Sequence, residues 1–113
     1  MPVRGHLVKD PPLRVSETIA KLGRDLRTAR LRRNISLEEM AAKVGVNRHV
    51  IAAAEHGKLT TGIGVYAAML WAMNLIHQID PVADPLRDEE GMALSRLDER
   101  ERAYPSRGLS NDF

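Results

Sequence analysis

The sequence predicts an all-α protein built around a domain of five short helices. Three observations carry this prediction. Apolar residues recur at helical spacing in several consecutive segments, capping residues separate those segments, and glycine stands where two of them end. The 113 residues suffice for one small domain with tails, and only 4% are aromatic. Aliphatic residues and methionine must therefore build the core, which is small in a domain of this size.

A proline-rich stretch opens the chain and predicts a flexible, disordered arm over residues 1–15. Ser16, followed by Glu17, has the character of a helix N-cap, and apolar residues then recur at helical spacing to about Asn34. Six Lys and Arg residues lie among them. We therefore predict a central domain over residues 16–80 that begins with a basic amphipathic helix.

Two further helices, joined by a very short turn, are predicted within residues 36–57. Ser36 and Glu39 have the spacing of a capping box, Gly45 suits a left-handed turn, and Asn47 suits the N-cap of the next helix. The inward positions of both helices are apolar: Met40, Ala41, Val44, Val46, Ile51 and Ala54. Two helices of this length with this turn predict a helix-turn-helix, and an ordinary three-helix bundle is the alternative.

The rest of the chain divides into an apolar part and a charged part. Residues 65–74 are apolar nearly all round, which predicts a buried fourth helix, and Leu75 to Ile79 continue as a short fifth. Asp84 and Pro85 have the order of an N-cap and first helical residue, so a last helix is expected to about Arg102. Residues 81–113 are thus predicted to be a charged C-terminal helix followed by a disordered tail.

The net charge of +2 conceals a gradient along the chain. Residues 1–34 hold nine basic against three acidic residues, whereas residues 80–113 hold five basic against nine acidic residues. The basic front suits nucleic acid and the acidic end suits a different partner, although both could simply be solvated flanks.

The stretch NISLEEMAAKVGVNRHVIAAAEHG resembles the Xre/Cro/C1 family of phage-repressor-like helix-turn-helix domains, and the likeness covers about residues 19–79. The resemblance implies a third helix in the major groove of double-stranded DNA. It places Asn47, Arg48 and His49 at base edges, with Ala53 one turn later. It also implies an ion pair between Arg30 of the first helix and Glu55 at the end of the third.

Physical chemistry supports these assignments. Arg48 can donate two hydrogen bonds to guanine, and an alanine methyl can contact thymine. Seven polar or basic residues are candidates for phosphate contacts, five that flank the third helix and two from the first, although each could equally be a solvated side chain. They are Arg27, Arg33, Lys43, His56, Lys58, Thr60 and Thr61.

Two departures from the family pattern leave a second interpretation open. Many members have Gln where Leu37 stands, and polar or larger residues where the run from Ala52 to Ala54 stands. Such a bare reading face leaves most base recognition to Arg48, with DNA shape supplying the rest. It also fits a protein-interaction module whose DNA reading is weak or lost.

A narrower resemblance concerns the stretch GVYAAMLWAMNLIHQIDPVADPLRDEEGMAL, which is similar to the corresponding part of HipB-like antitoxins. It implies an antitoxin that represses its own operon and binds a HipA-like kinase toxin. A solitary repressor remains the alternative.

A homodimer is expected for two reasons. A two-fold dimer reads a palindromic operator, and the last apolar helices carry more apolar surface than three short helices can cover. The candidates for the interface are Trp71, Leu75, Ile76 and Ile79, which could instead only complete the monomer core.

Other functions have no support in the residues. No nucleophile, phosphate-loop or metal-ligand spacing is present, so we expect no enzyme, no cofactor and no metal. The chain has no Cys, no membrane span and no secretion signal, which fits a cytoplasmic, nucleoid-associated protein.

Overall fold

A computed structural model describes residues 6–103, apart from the side chains of His6 and Val8. Within this range the protein is all-α, as predicted, and no strand is present. The described part of the chain divides into two compact units between Gln78 and Ile79. The helices are α1 (His6–Lys9), α2 (Leu13–Arg32), α3 (Leu37–Val44), α4 (Arg48–Glu55), α5 (Ile63–Ala72) and α6 (Glu89–Ala103), with short 3₁₀ helices at Ile76–Ile79 and Pro85–Arg87.

The start of α2 differs from the prediction. The helix begins at Leu13, and Pro12 rather than Ser16 occupies the N-cap position. The N–H of Ser16 donates to the Pro12 carbonyl at 3.2 Å, so Ser16 already lies within the first turn. Because proline has no N–H and holds φ near −65°, it fits just outside a helix at no hydrogen-bond cost. The expectation of irregular chain over residues 1–15 is also wrong at residues 6–9, which form α1; residues 1–5 lie outside the described range.

The caps of α3 and α4 match the sequence prediction. Ser36 Oγ accepts from the N–H of Glu39 at 3.0 Å, and Glu39 Oε1 accepts from the N–H of Ser36 at 2.8 Å. Gly45 ends α3 with φ of 89°, a value that residues with a side chain rarely adopt. The side chain of Asn47 then caps α4. These local bonds fix a linker of only three residues between the two helices.

The core of the first unit lies where α3, α4 and α5 meet and where α2 covers α4. Its largest fully buried side chains are Leu26, Met40, Ile51 and Met69. Ala41 and Ala54 are also buried, so small side chains stand at points where the helices pack closely. A core this small depends on close packing rather than on volume.

A glycine that sequence reasoning did not single out sets the approach of α2 to α4. A Cβ built on Gly23 would lie 2.5 Å from the Glu55 carbonyl oxygen and 2.6 Å from that of Ala54. Gly57 plays a similar part with φ of +77°, because its Cβ would lie 2.8 Å from Ala20 Cα. The C-terminal end of α4 is therefore held within backbone contact of α2.

The fourth and fifth predicted helices are both shifted. The fourth is α5, which begins two residues before the predicted range at Ile63 and ends at Ala72. Asn74 then takes a positive φ of 63°, which ends the helical run. The fifth is a single 3₁₀ turn, Ile76–Ile79.

In the second unit, the predicted last helix is two elements. Asp84 Oδ1 accepts from the N–H of Leu86 at 3.0 Å, and Pro85 is the first residue of the 3₁₀ helix. Asp88 then leaves the helical conformation and its side chain accepts from the N–H of Gly91 at 3.0 Å, so α6 begins at Glu89. A second capping carboxylate thus interrupts the expected single helix. The predicted tail beyond Ala103 lies outside the described residues.

Candidate functional site

The C-terminal end of α4 is tied to α2 by a buried ion pair. Arg30 Nε donates to Glu55 Oε2 at 2.7 Å and Nη2 donates to Oε1 at 3.0 Å, which is a bidentate arrangement. Arg30 is 5% exposed and Glu55 is 6% exposed. Arg30 Nη1 also donates to the Ile35 carbonyl at 2.8 Å. The hydrogen bonds that Arg30 donates to the Glu55 carboxylate hold the pKa of Arg30 above its ordinary value despite burial. These are the two residues whose pairing the family resemblance implied.

The N-terminal end of α4 is open and carries a second pair of the same chemistry. Arg48 Nη1 donates to Glu38 Oε2 on α3 at 2.8 Å, with both side chains more than half exposed. The pKa of the Glu38 carboxyl lies below its ordinary value because its own backbone N–H bonds to it and, next, because Arg48 does. The side chain predicted to read bases therefore has a partner within the protein.

A concave surface, which we call the α4 groove, lies beside this end of the helix and encloses about 340 Å³. It brings together six of the predicted site residues, three from the proposed base-reading set and three from the proposed phosphate-binding set. Its lining residues are Asn47, His49, Val50, Ala53, Lys58, Thr60, Thr61, Gly62 and Val65. The groove thus joins one face of α4 to the loop that follows it.

The structure limits what Asn47 can offer. Its Oδ1 accepts from the N–H of His49 at 2.9 Å and from that of Val50 at 3.2 Å. Only its amide NH₂ is left to donate outward. His49 is exposed, and Ala53 is half-buried in the groove with only a methyl group to present.

Four predicted phosphate-binding residues are not part of the α4 groove. Lys43 lines a separate hollow with Trp71, and Arg33 lines another one with Arg32 while its Nη1 donates to the Ala29 carbonyl at 3.0 Å. His56 Nδ1 lies 2.7 Å from the Ala52 carbonyl, so only Nε2 of that ring remains for another partner. Arg27 is exposed on α2.

The predicted interface residues differ in their exposure to solvent. Trp71 is 62% exposed, whereas Leu75, Ile76 and Ile79 are half-buried, and Ile79 belongs to the second unit. Ile63, which the sequence prediction omitted, is 69% exposed. It lies eight residues before Trp71, a spacing that places both on one face of α5 and that could have identified it.

Sequence reasoning also missed Glu38. This residue stands ten positions before Arg48, across the turn, so no helical period connects the two. Only the angle between α3 and α4 brings the side chains together.

None of the described helices is both long and apolar enough to cross a membrane. Among the described residues, no group of three or more His, Asp or Glu side chains is arranged to hold a metal ion.

Comparison with known protein families, with curated proteins and with solved structures finds no match for the chain.

Proposed function

We propose that the protein is a sequence-specific DNA-binding repressor in which α3 and α4 form a helix-turn-helix and α4 lies in the major groove. The observation that carries the proposal is the contrast between the ends of α4. Its N-terminal end presents Arg48 and His49 to solvent, and its C-terminal end is fixed by the pair of Arg30 and Glu55. A helix of this kind, exposed at one end and rigidly held at the other, can enter a groove about 12 Å wide in one orientation.

Arg48 and the α4 groove together supply the two kinds of contact that DNA recognition needs. Arg48, His49 and the Asn47 amide are at the end of the helix that reaches base edges. Lys58, Thr60 and Thr61 follow on the adjoining loop, where a cation and two hydroxyl groups suit phosphate oxygens. Basic residues outnumber acidic ones within residues 1–34, and this positive charge attracts DNA at long range.

A second copy of the chain is the proposed partner of α5. This helix contains no charged residue, and Ile63 and Trp71 are exposed at its two ends with Ala67 between them on the same face. In an antiparallel, two-fold pairing, Trp71 of each copy would lie beside Ile63 of the other copy. Ala67 would lie near the middle of the contact, where its small side chain lets the two helices approach. A dimer of this kind reads a palindromic operator.

Replacement of Trp71 tests this dimer. We expect Trp71→Glu to shift the protein from dimer to monomer in sedimentation and to weaken binding to a palindromic site. The matched control is Leu86→Glu, which places the same charge at an 81% exposed leucine of the second unit. A wild-type protein that sediments as a monomer at micromolar concentration would contradict the dimer.

Selection from a library of duplexes with a randomised centre tests DNA reading. Wild-type protein should enrich a defined palindrome. Arg48→Ala should relax the preference at one base pair per half-site, by about 1–3 kcal/mol of discrimination. Lys58→Ala should weaken binding to every sequence alike and reduce the salt slope by about one. If both variants change selected and random DNA equally, the assignment of Arg48 is wrong.

A second function, as an autoregulatory antitoxin or other partner-binding module, is favoured by α6. No residue of this helix is buried, and Leu94 and Leu97 are 58% and 53% exposed among many acidic side chains. The HipB-like resemblance makes a HipA-like kinase the proposed partner. A kinase of that type should bind the wild-type chain and not the Leu94→Asp, Leu97→Asp double variant. Equal binding to both would remove α6 from the interface.

A further inference from the structure

The pair of Glu38 and Arg48 is the one ion pair in the described residues that joins α3 to the exposed end of α4. The proposed function uses Arg48 and leaves Glu38 without a role. A carboxylate beside a surface that is to meet phosphates is unfavourable by simple charge repulsion. A favourable contribution of Glu38 to DNA recognition is therefore needed to offset this repulsion.

The atoms in the pair define that contribution. Glu38 accepts from Nη1 of Arg48, and within the described part of the chain Nε and Nη2 of Arg48 make no hydrogen bond. Nε and Nη2 form one edge of the planar guanidinium group, with two parallel N–H donors. Guanine O6 and N7 accept such a pair of donors. The bond to Glu38 thus leaves a complete bidentate edge free.

An arginine without such a partner would sample many rotamers, and fixing a long side chain costs conformational entropy. A side chain already held at Nη1 loses less when its other edge pairs with a base. A free arginine would also contact any nearby phosphate, which carries no sequence information.

We infer that Glu38 is a positioning residue for DNA recognition: its carboxylate holds Nη1 of Arg48 and so reserves the Nε and Nη2 edge for guanine. This inference rests on the proposed function. Glu38 raises the discrimination between guanine and other bases rather than the overall affinity, because its charge opposes phosphate binding at every sequence.

Two substitutions separate positioning from charge. Glu38→Ala removes the acceptor and the charge, whereas Glu38→Gln removes the charge and keeps an acceptor for Nη1. Discrimination at the base pair read by Arg48 should fall about two- to five-fold in Glu38→Ala, the size of effect expected of an exposed ion pair. In Glu38→Gln the discrimination should fall less than in Glu38→Ala. Both variants should bind random DNA more tightly than the wild-type protein does.

The matched control is Asp25→Ala. Asp25 accepts from Lys21 at 2.6 Å in an equally exposed pair on α2 and is not among the residues that line the α4 groove. This variant should leave discrimination at the wild-type level. In an Arg48→Ala background, Glu38→Ala should have no effect on base preference, since the residue that it positions is gone.

Equilibrium binding to the selected duplex and to its single-base variants measures these values. The inference is overturned if Glu38→Ala keeps wild-type discrimination, if Ala and Gln reduce it equally, or if the loss persists without Arg48. If wild-type protein selects no sequence at all, DNA reading itself is refuted and the inference falls with it. The wild-type measurement therefore distinguishes the two failures.

Discussion

The two ends of α4 carry the same chemistry in opposite settings. At each end an arginine and a glutamate join α4 to a neighbouring helix, yet Arg30 and Glu55 are buried whereas Arg48 and Glu38 are more than half exposed. The buried pair is bidentate and has a further bond to a backbone carbonyl, so it has one geometry. The exposed pair uses one donor and can open. Burial thus makes one pair an anchor and leaves the other available for an outside partner.

The largest expected effect is at the buried end. Glu55→Gln leaves Arg30 charged, buried and without its counter-ion, which we expect to cost about 3–5 kcal/mol of unfolding free energy. Urea denaturation followed by circular dichroism measures this at fixed protein concentration. Glu38→Gln is the matched change in the exposed pair and should lower the urea midpoint far less than Glu55→Gln does. Equal losses of unfolding free energy in Glu55→Gln and Glu38→Gln would contradict the proposed difference between the two ends of α4.

The next largest effect is expected at Gly23, where the backbones of α2 and α4 approach each other beside the buried pair. Gly23→Ala places a methyl group against the carbonyl oxygens of Glu55 and Ala54, so α2 must move away from the buried pair. We expect a loss of about 1–3 kcal/mol, because overpacking outweighs the gain in helix propensity. Gly64→Ala is the control, since a Cβ there has nothing within 4 Å. It should be neutral or stabilising, and a stabilising Gly23→Ala would show that α2 and α4 are not in close contact.

The smallest effect is the pH response of the exposed pair. Because folding lowers the pKa of Glu38 from 4.5, through its backbone hydrogen bond and then Arg48, its contribution to stability is present above pH 4.5. That contribution is lost as the pH falls through the lowered pKa of the folded state. The stability difference between wild type and Glu38→Gln should therefore shrink on going from pH 7 to well below pH 4.5. A difference that grows on acidification would have the wrong sign.

Local signals in the sequence predicted the centre of the molecule well. Ser36, Glu39, Gly45 and Asn47 act through hydrogen bonds and backbone angles within a few residues, so their types alone indicate the ends of α3 and α4. The prediction of where α2 begins was wrong because Pro12 and Ser16 are both acceptable near a helix start. The sequence does not show which of them the rest of the chain prefers.

Contacts between distant residues were the harder part. The role of Gly23 depends on the depth at which α2 crosses α4, and that of Glu38 depends on the angle at the turn after α3. Neither quantity follows from a periodic pattern. The pairing of Arg30 with Glu55, twenty-five positions apart, was expected only from resemblance to a family.

The most direct test of the central proposal is the affinity of the wild-type protein for its selected palindrome and for a scrambled duplex over a range of salt concentrations. We predict at least about a thousand-fold preference for the palindrome and a steep loss of both affinities as salt rises. Equal affinities for the two duplexes, or binding that does not respond to salt, would contradict the proposal that α4 reads DNA.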